Sequence, residues 1–160
     1  MTLSDSHITI APAGWHDFGP VRQLEEICFT ADAWPFWDIL GALTLPQIVR
    51  LKAVAEDKLV GFIAVDVRQR KGEGWIMTIG VLPEFRRRRV ASALIDKAES
   101  LSGMSSIRLH VRQSNLSARQ LYKGLGYSEY DRWPRYYTDG EDAVLMFKTL
   151  RDGTAVPKGL

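Results

Sequence analysis

The chain has 160 residues, 46% of them hydrophobic and 25% charged, which is the composition of a soluble globular protein with one well-buried core. Its 21 basic and 19 acidic side chains leave a formal net charge of +2, so no global field favours nucleic acid or an anionic membrane as a partner. The longest apolar run, from Leu59 to Val65, is much shorter than the roughly 20 residues of a membrane helix. We therefore expect a single domain over residues 1–160, with an ordered core at 7–150, a flexible tail at 151–160, and no membrane or nucleic-acid partner.

Cys28 is the only cysteine in the sequence. No disulfide within the chain and no cysteine-ligated metal site can therefore form, and we expect no metal. A single thiol fits the reducing cytoplasm, where we expect the protein to act. The sequence leaves the oligomeric state open.

The first half of the chain predicts alternating strands and helices. An apolar stripe at helical spacing, with Pro20 in the first turn, predicts a helix from Asp17 to Phe29. The members of this stripe are Val21, Leu24, Ile27 and Cys28. Two β-branched runs separated by Glu56, Asp57 and Lys58 predict a hairpin. The other expected elements are a strand at His7–Ala11, an aromatic-rich helix or loop at Trp34–Leu43, strands at Arg50–Glu56, Leu59–Val67 and Trp75–Val81, and a turn at Gly72 and Gly74.

The second half changes its hydrophobic period twice. A helical stripe predicts an amphipathic helix from Arg88 to near Gly103; its members are Val90, Leu94, Ala98 and Leu101. Strict alternation then predicts a strand at Ile107–Val111, and a second helical stripe runs from Asn115 to Gly126. Strands at Tyr127–Trp133 and Ala143–Leu150 complete a count of about seven strands and four helices, which indicates an α/β sandwich.

A run of four arginines stands where a strand passes into a helix. Free backbone N–H groups, the positive end of the helix dipole and guanidinium groups converge there, as a pyrophosphate site requires. The residues of this turn and helix start are Arg86, Arg87, Arg88, Arg89, Val90, Ala91 and Ser92. A solvated basic turn, or a nucleic-acid patch, has the same local pattern.

Two segments, in the expected order, resemble the GNAT superfamily of N-acetyltransferases. Val81 to Leu94 is similar to the family's acetyl-CoA loop, whose pattern is Gln/Arg-x-x-Gly-x-Gly/Ala, and Asn115 to Tyr127 is similar to its later Asn-x-x-Ala…Tyr…Gly-Tyr/Phe motif. The resemblance runs from about Trp75 to Leu150 and is weaker over the first half. Within the superfamily, local matches resemble protein N-terminal acetyltransferases of the bacterial RimI type and the NatE-type catalytic subunit; they are Trp75–Gly80, Leu109–Asn115, Tyr136–Tyr137 and Glu141–Ala143.

The resemblance implies the GNAT fold, a mixed and mostly antiparallel sheet of about seven strands flanked by about four helices, with acetyl-CoA as cofactor. The strand from Trp75 to Val81 and the strand holding His110 would splay apart to admit the cofactor's pantetheine arm. The implied cofactor-binding residues are Ile79, Gly80 and Val81, the loop Arg86 to Ser92, and Asn115, Ser117 and Tyr122. Arg87 and Arg89 replace common glycines of this loop, which is costly only where φ is positive.

The resemblance assigns catalytic roles to three residues. His110 would be the base, because an imidazole with a pKa of about 6.5 can accept a proton from an α-ammonium group; the other interpretation is a hydrogen-bonded structural histidine. Tyr122 would protonate the leaving thiolate, although its place on a helical apolar stripe also fits core packing. The Val81 N–H would polarise the thioester carbonyl. Trp75 stands where the NatE-type enzyme has a tyrosine base, and an indole N–H cannot accept a proton.

Aromatic residues from two segments would line the acceptor groove if the resemblance holds. They are Phe29, Ala31, Trp34 and Phe36 from the first interhelical loop, and Tyr136 and Tyr137 from the loop before the last strand. Core packing is an equal alternative for the first group. For the tyrosine pair we favour hydrogen bonding to the peptide backbone.

The leading hypothesis is transfer of an acetyl group from acetyl-CoA to the free α-amine of a protein or peptide N-terminus, by direct attack in a ternary complex. A ribosome-associated acceptor is one possibility. The alternatives are acetylation of a small amine, a non-catalytic acyl-CoA-binding regulatory module, and, weakest, a nucleic-acid-binding module. The sequence leaves open the preferred first residue and the choice between acetyl and longer acyl groups.

Overall fold

The structure is a computed structural model that describes residues 7–150; residues 1–6 and the predicted flexible tail at 151–160 lie outside the described residues. Within them are seven strands, four α-helices and three short 3-10 turns. The strands are β1 (Ile8–Pro12), β2 (Ile48–Ala55), β3 (Lys58–Arg68), β4 (Glu73–Val81), β5 (Ser106–Arg112), β6 (Ser128–Trp133) and β7 (Ala143–Thr149). The helices are α1 (Phe18–Cys28), α2 (Phe36–Thr44), α3 (Val90–Ser102) and α4 (Leu116–Gly124).

All seven strands belong to one mixed sheet in the order β1-β2-β3-β4-β5-β7-β6. The pairs β1–β2, β2–β3, β5–β7 and β6–β7 are antiparallel, whereas β4 and β5 are parallel. This confirms the predicted α/β fold with a mixed, mostly antiparallel sheet and four helices. The described residues form two compact units, 7–66 with 77–102 and 67–76 with 103–150. The single domain stays a prediction.

The first unit packs three helices against one end of the sheet. Its core consists of side chains that are at most 2% exposed, among them Leu24, Ile39, Leu51, Phe62 and Leu94. A Cβ at Gly61 in β3 would lie 3.1 Å from Leu94 Cδ1 and 3.2 Å from Val90 Cγ1. The absence of a side chain at this glycine therefore lets α3 approach the sheet closely.

The second unit contains the start of β4, then β5, β7 and β6, with α4. Ile107, Leu109 and Val111 of β5 are buried, and the residues between them are half-buried, as the predicted alternation requires. The parallel ladder between β4 and β5 covers three residue pairs, from Glu73–Ser106 to Trp75–Arg108. All residues of β6 are exposed.

Three local predictions are wrong. Gly74 lies inside β4 and only Gly72, with a φ of 65°, forms the turn. Leu101, predicted on the buried stripe of α3, is 52% exposed, and Ser102 is buried instead. In α1, Ile27 is 52% exposed while Glu25 is 1% exposed.

Among residues 7–150, no helix has the length and apolarity needed to cross a membrane.

Candidate active site

In the first unit, the arginine run links the end of β4 to α3. A 3-10 turn at Pro83–Phe85 leads into it, and α3 begins at Val90. Among the described residues, the N–H of Ala93 is the first of this helix to find an acceptor in the turn below, the Arg89 carbonyl at 3.0 Å. The N–H groups of Val90, Ala91 and Ser92 therefore point out of the helix start, where an anion can bind them.

Arg87 and Arg89 both have a φ of 60°. This is the left-handed region, which costs an L-residue about 1–2 kcal/mol and glycine almost nothing. The backbone thus takes at both positions a conformation that favours glycine, which is the costly case for an arginine. The backbone of this loop suits the binding of a pyrophosphate. It carries arginine side chains at two positions where glycine would have no side chain.

Arg86 is exposed like the rest of the run, but its side chain also forms hydrogen bonds within the unit. Its Nε donates to the Val81 carbonyl at 3.1 Å, and the Cys28 thiol donates to the same oxygen at 3.4 Å. Arg87, Arg88 and Arg89 are exposed. Arg86 therefore fixes the end of β4 while it remains exposed at the surface of the unit.

Gly80 has a packing role besides its predicted place in the cofactor strand. A Cβ at this position would lie 2.8 Å from Leu24 Cδ2 and 3.3 Å from Cys28 Sγ, both in α1. Its neighbours Ile79 and Val81 are half-buried and buried. Cys28 is half-buried and burial raises the pKa of its thiol, which supports packing rather than nucleophilic chemistry.

Glu25 is a buried carboxyl that the sequence analysis missed. Its Oε1 accepts a hydrogen bond from Thr78 Oγ1 at 2.7 Å, and the backbone N–H of Trp34 also bonds the carboxyl. Its Oε2 is buried and has no partner among the described residues, and burial raises its pKa. Glu25 therefore ties together α1, β4 and the loop between α1 and α2.

That loop carries the first group of predicted groove residues. Phe29 and Trp34 are half-buried, and Ala31 is exposed. Phe36, at the start of α2, is 47% exposed, with its ring centroid 4.7 Å from that of Phe18. These four side chains therefore belong to the surface of the first unit rather than to its fully buried core.

His110, in the second unit, lies on the sheet face opposite its buried neighbours Leu109 and Val111. Burial lowers the pKa of its imidazole below the ordinary 6.5, so the ring is neutral at pH 7. Its Nδ1 is buried and has no partner among the described residues. A neutral imidazole with an unused nitrogen is suited to accept a proton, directly or through one water.

Aromatic rings surround His110. The centroid of its ring lies 4.9 Å from that of Tyr136, 5.8 Å from Trp133 and 6.4 Å from Tyr137. Trp75 stacks on Trp133 at 6.2 Å, and its indole donates to Glu73 Oε1 at 2.9 Å. The sequence did not identify Trp133 as a neighbour of His110. It lies next to the imidazole because it pairs with Ala143 at the end of β6.

Tyr122 is buried in α4, and burial raises the pKa of its phenol well above the ordinary value. The phenol therefore keeps its proton throughout the neutral range. Asn115 caps α4, its side chain accepting from the Ala118 N–H at 3.2 Å, as predicted. Ser117 is exposed in the first turn of the same helix.

Comparison with known proteins places these features in a family. Residues 17–127 match the model of the acetyltransferase (GNAT) family. An uncharacterized N-acetyltransferase of Methanocaldococcus jannaschii is 32% identical over 136 residues, which cover 82% of this chain and 85% of that protein. An N-alpha-acetyltransferase of Saccharolobus solfataricus is 32% identical over 158 residues, 89% of this chain and 93% of that one.

A solved structure agrees with the sequence relatives. The crystal structure of a ribosomal-protein-alanine N-acetyltransferase from Escherichia coli has a TM-score of 0.81 at 25% identity, covering 93% of this chain and 99% of that one. The resemblance seen in the two sequence motifs is thereby confirmed at the level of the family. This chain belongs to the GNAT family of acetyltransferases and is an N-acetyltransferase of that family.

Proposed function

We propose that this enzyme transfers an acetyl group from acetyl-CoA to the free α-amine of a protein or peptide N-terminus. The observation that carries the proposal is His110, a neutral, half-buried imidazole with an unpartnered Nδ1 next to two tyrosines. An α-ammonium group has a pKa of about 8, so a neutral histidine can take its proton at physiological pH. The names of the Saccharolobus and Escherichia relatives point to the same class of acceptor.

The first unit would hold the acetyl donor. Acetyl-CoA supplies the acetyl group as an activated thioester. The backbone N–H groups of Val90, Ala91 and Ser92, with the exposed arginines before them, would bind its pyrophosphate. The Val81 N–H would donate to the thioester carbonyl oxygen, and the hydrogen bond from Arg86 to the Val81 carbonyl holds the end of this strand in place.

The second unit would supply the proton transfers. His110 would accept one proton from the α-ammonium group and pass it to solvent, so that the free amine can attack the acetyl carbon. The second proton, which the nitrogen loses as the amide forms, balances the proton that the sulfur gains. Tyr122 would donate a hydrogen bond and then its proton to the sulfur as the carbon–sulfur bond breaks. Because burial raises the pKa of Tyr122, the hydrogen bond to the thiolate is the part of this role that the environment favours, and full proton transfer is the more costly part.

The test is thiol release from acetyl-CoA with a panel of acceptors. The panel contains peptides that begin with Met, Ala or Ser, one Nα-blocked peptide with an internal lysine, and spermidine. Turnover confined to the free N-termini is the expected result, and a preference for Ala would make a ribosomal protein a candidate acceptor, given the Escherichia relative. Turnover only with spermidine or the internal lysine would overturn the proposed acceptor; binding of acetyl-CoA without any turnover would favour a regulatory module. Action in the cytoplasm is part of the same proposal.

A further inference from the structure

Arg112, the last residue of β5, holds the loop that carries the tyrosine pair. Its Nη1 donates to Asp139 Oδ2 and to Glu141 Oε1, both at 2.8 Å. Its guanidinium carbon lies 4.1 Å from the centroid of the Tyr137 ring. One planar group thus binds two carboxylates and a ring of the same loop at once, which suits the geometry of arginine.

The partners of Arg112 also fix one another. Glu141 Oε2 accepts the Ser114 N–H at 2.7 Å, and Asp139 Oδ1 accepts the Glu141 N–H at 3.1 Å. The Tyr137 N–H donates to the Glu141 carbonyl at 3.1 Å. The hydrogen bonds from the side chain and backbone of Ser114, with those from Arg112, hold the pKa of Glu141 at about 2, so its charge persists throughout the working range of an enzyme.

The loop presents its aromatic rings to His110. Tyr136 meets the imidazole edge to face at a centroid distance of 4.9 Å, and Tyr137 meets Tyr136 in the same way at 5.1 Å. A movement of Tyr137 therefore changes the place of Tyr136 and the surroundings of the imidazole. Tyr136 is 47% exposed, so an acceptor peptide can reach this residue.

We propose that Arg112 is a positioning residue for acceptor binding: it fixes the Tyr136 and Tyr137 rings next to His110 before the peptide arrives. This inference rests on the proposed function and adds to it the group that orders the acceptor site. Without the guanidinium, each binding event would have to order the loop from 135 to 141, and that entropy cost would appear as weaker acceptor binding. The first unit's donor-binding loop would be unaffected.

The experiment compares Arg112→Ala and Arg112→Lys with a matched control, Arg119→Ala. The Arg119 side chain is 17% exposed against 19% for Arg112, and it also pairs with a carboxylate, Glu129 at 2.7 Å, but not with the loop from 135 to 141. The measurements are kcat and KM for the best peptide of the panel, KM for acetyl-CoA, and the melting temperature of each variant.

We expect Arg112→Ala to raise the peptide KM by about tenfold, with an unchanged KM for acetyl-CoA. Arg112→Lys should recover little, because an ammonium group neither bridges both carboxylates in a plane nor stacks on the ring. Arg119→Ala should lower the melting temperature as much as Arg112→Ala without moving the peptide KM.

Two results would overturn the inference. If the wild-type enzyme turns over peptides and the Arg112→Ala and Arg119→Ala variants have equal peptide KM values, Arg112 has only a structural role and the proposed function stands. If the wild-type enzyme acetylates no free N-terminus, the proposed function fails and the acceptor role of Arg112 fails with it.

Discussion

The loop from 86 to 89 in the first unit and the loop from 135 to 141 in the second both hold polar groups in fixed positions, by different means. In the first, the backbone fixes the loop, since Arg87 and Arg89 adopt a φ of 60° while all four arginine residues are exposed. In the second, side chains do it, since Arg112 and Glu141 bond the loop to β5. A loop that is fixed by its backbone conformation tolerates unusual side chains. A loop that is fixed by side-chain hydrogen bonds depends on the identity of each residue that forms them.

His110→Ala tests whether catalysis depends on a single side chain of the second unit, and it has the largest expected effect on activity. We expect kcat to fall by about 10²- to 10⁴-fold, with acetyl-CoA affinity unchanged. Because burial lowers the pKa of His110 below 6.5, the wild-type enzyme should keep its base in the active form below pH 6.5. Steady-state rates between pH 5.5 and 9 check both the fall in kcat and the activity below pH 6.5. The control variant is His16→Ala, which changes an exposed histidine. An unchanged kcat would exclude His110 as the base.

Glu25→Ala tests whether the stability of the first unit also depends on the hydrogen bonds of a single side chain. The change removes the acceptor of the Thr78 hydroxyl and of the Trp34 N–H and leaves a cavity. We expect the free energy of unfolding to fall by about 3 kcal/mol, as measured by urea denaturation. A loss comparable with that of a surface substitution would show that Glu25 is dispensable to the packing of α1.

Glu25→Gln separates the charge of this residue from its hydrogen bonds. Burial raises the pKa of Glu25 above 4.5 in the folded state. At pH values between the unfolded and the folded pKa, the folded protein therefore holds a proton that the unfolded chain has released. The stability contributed by this group is therefore complete at low pH and is lost as pH rises from the unfolded value through the folded one. We expect the unfolding free energy of the variant, relative to wild type, to increase from pH 4 to pH 7; parallel profiles would contradict the raised pKa.

Gly80→Ala tests the packing of α1 on β4. The new Cβ would lie 2.8 Å from Leu24 Cδ2 and 3.3 Å from Cys28 Sγ, so we expect a loss of about 1–3 kcal/mol in unfolding free energy. The control is Gly41→Ala in α2, where the nearest atom would be 3.5 Å away and the better helix propensity should add roughly 0.5–1 kcal/mol. Equal effects at both positions would show that β4 can move away from α1 at little cost.

Arg87→Gly and Arg89→Gly test the backbone character of the first loop and have the smallest expected effect. Each removes a side chain from a left-handed position and should raise the unfolding free energy by about 1 kcal/mol. Arg88→Gly is the matched control, because it removes the same charge from a residue whose φ is not positive and should lower stability. If all three variants behave alike, the backbone strain at Arg87 and Arg89 is not a determinant of stability.

The predicted features that the structure confirms depend on local patterns. Alternation in β5 placed Leu109 inside and His110 on the opposite face, and the sequence around Asn115 identified the cap of α4. These predictions succeed because strand geometry and capping are decided by a few neighbouring residues. The two GNAT motifs likewise lie in short continuous segments.

The features that were missed depend on partners far along the chain. In α1 the helical pattern placed Ile27 inside. Glu25 is buried instead, because the hydroxyl of Thr78, 53 positions later, donates a hydrogen bond to its carboxyl. The positive φ at Arg87 and Arg89 likewise cannot be read from the amino-acid composition or the hydrophobic periodicity of the segment.

The sequence by itself determined the order of strands and helices, the family and the identity of the candidate base, because each is written in contiguous residues. Only the tertiary structure decided that Trp133 and Tyr136 lie next to His110, and that Arg112 binds Glu141, 29 positions away. The physical reason is that a hydrogen bond or ring contact requires two groups to be within a few ångströms, a proximity that chain spacing does not encode.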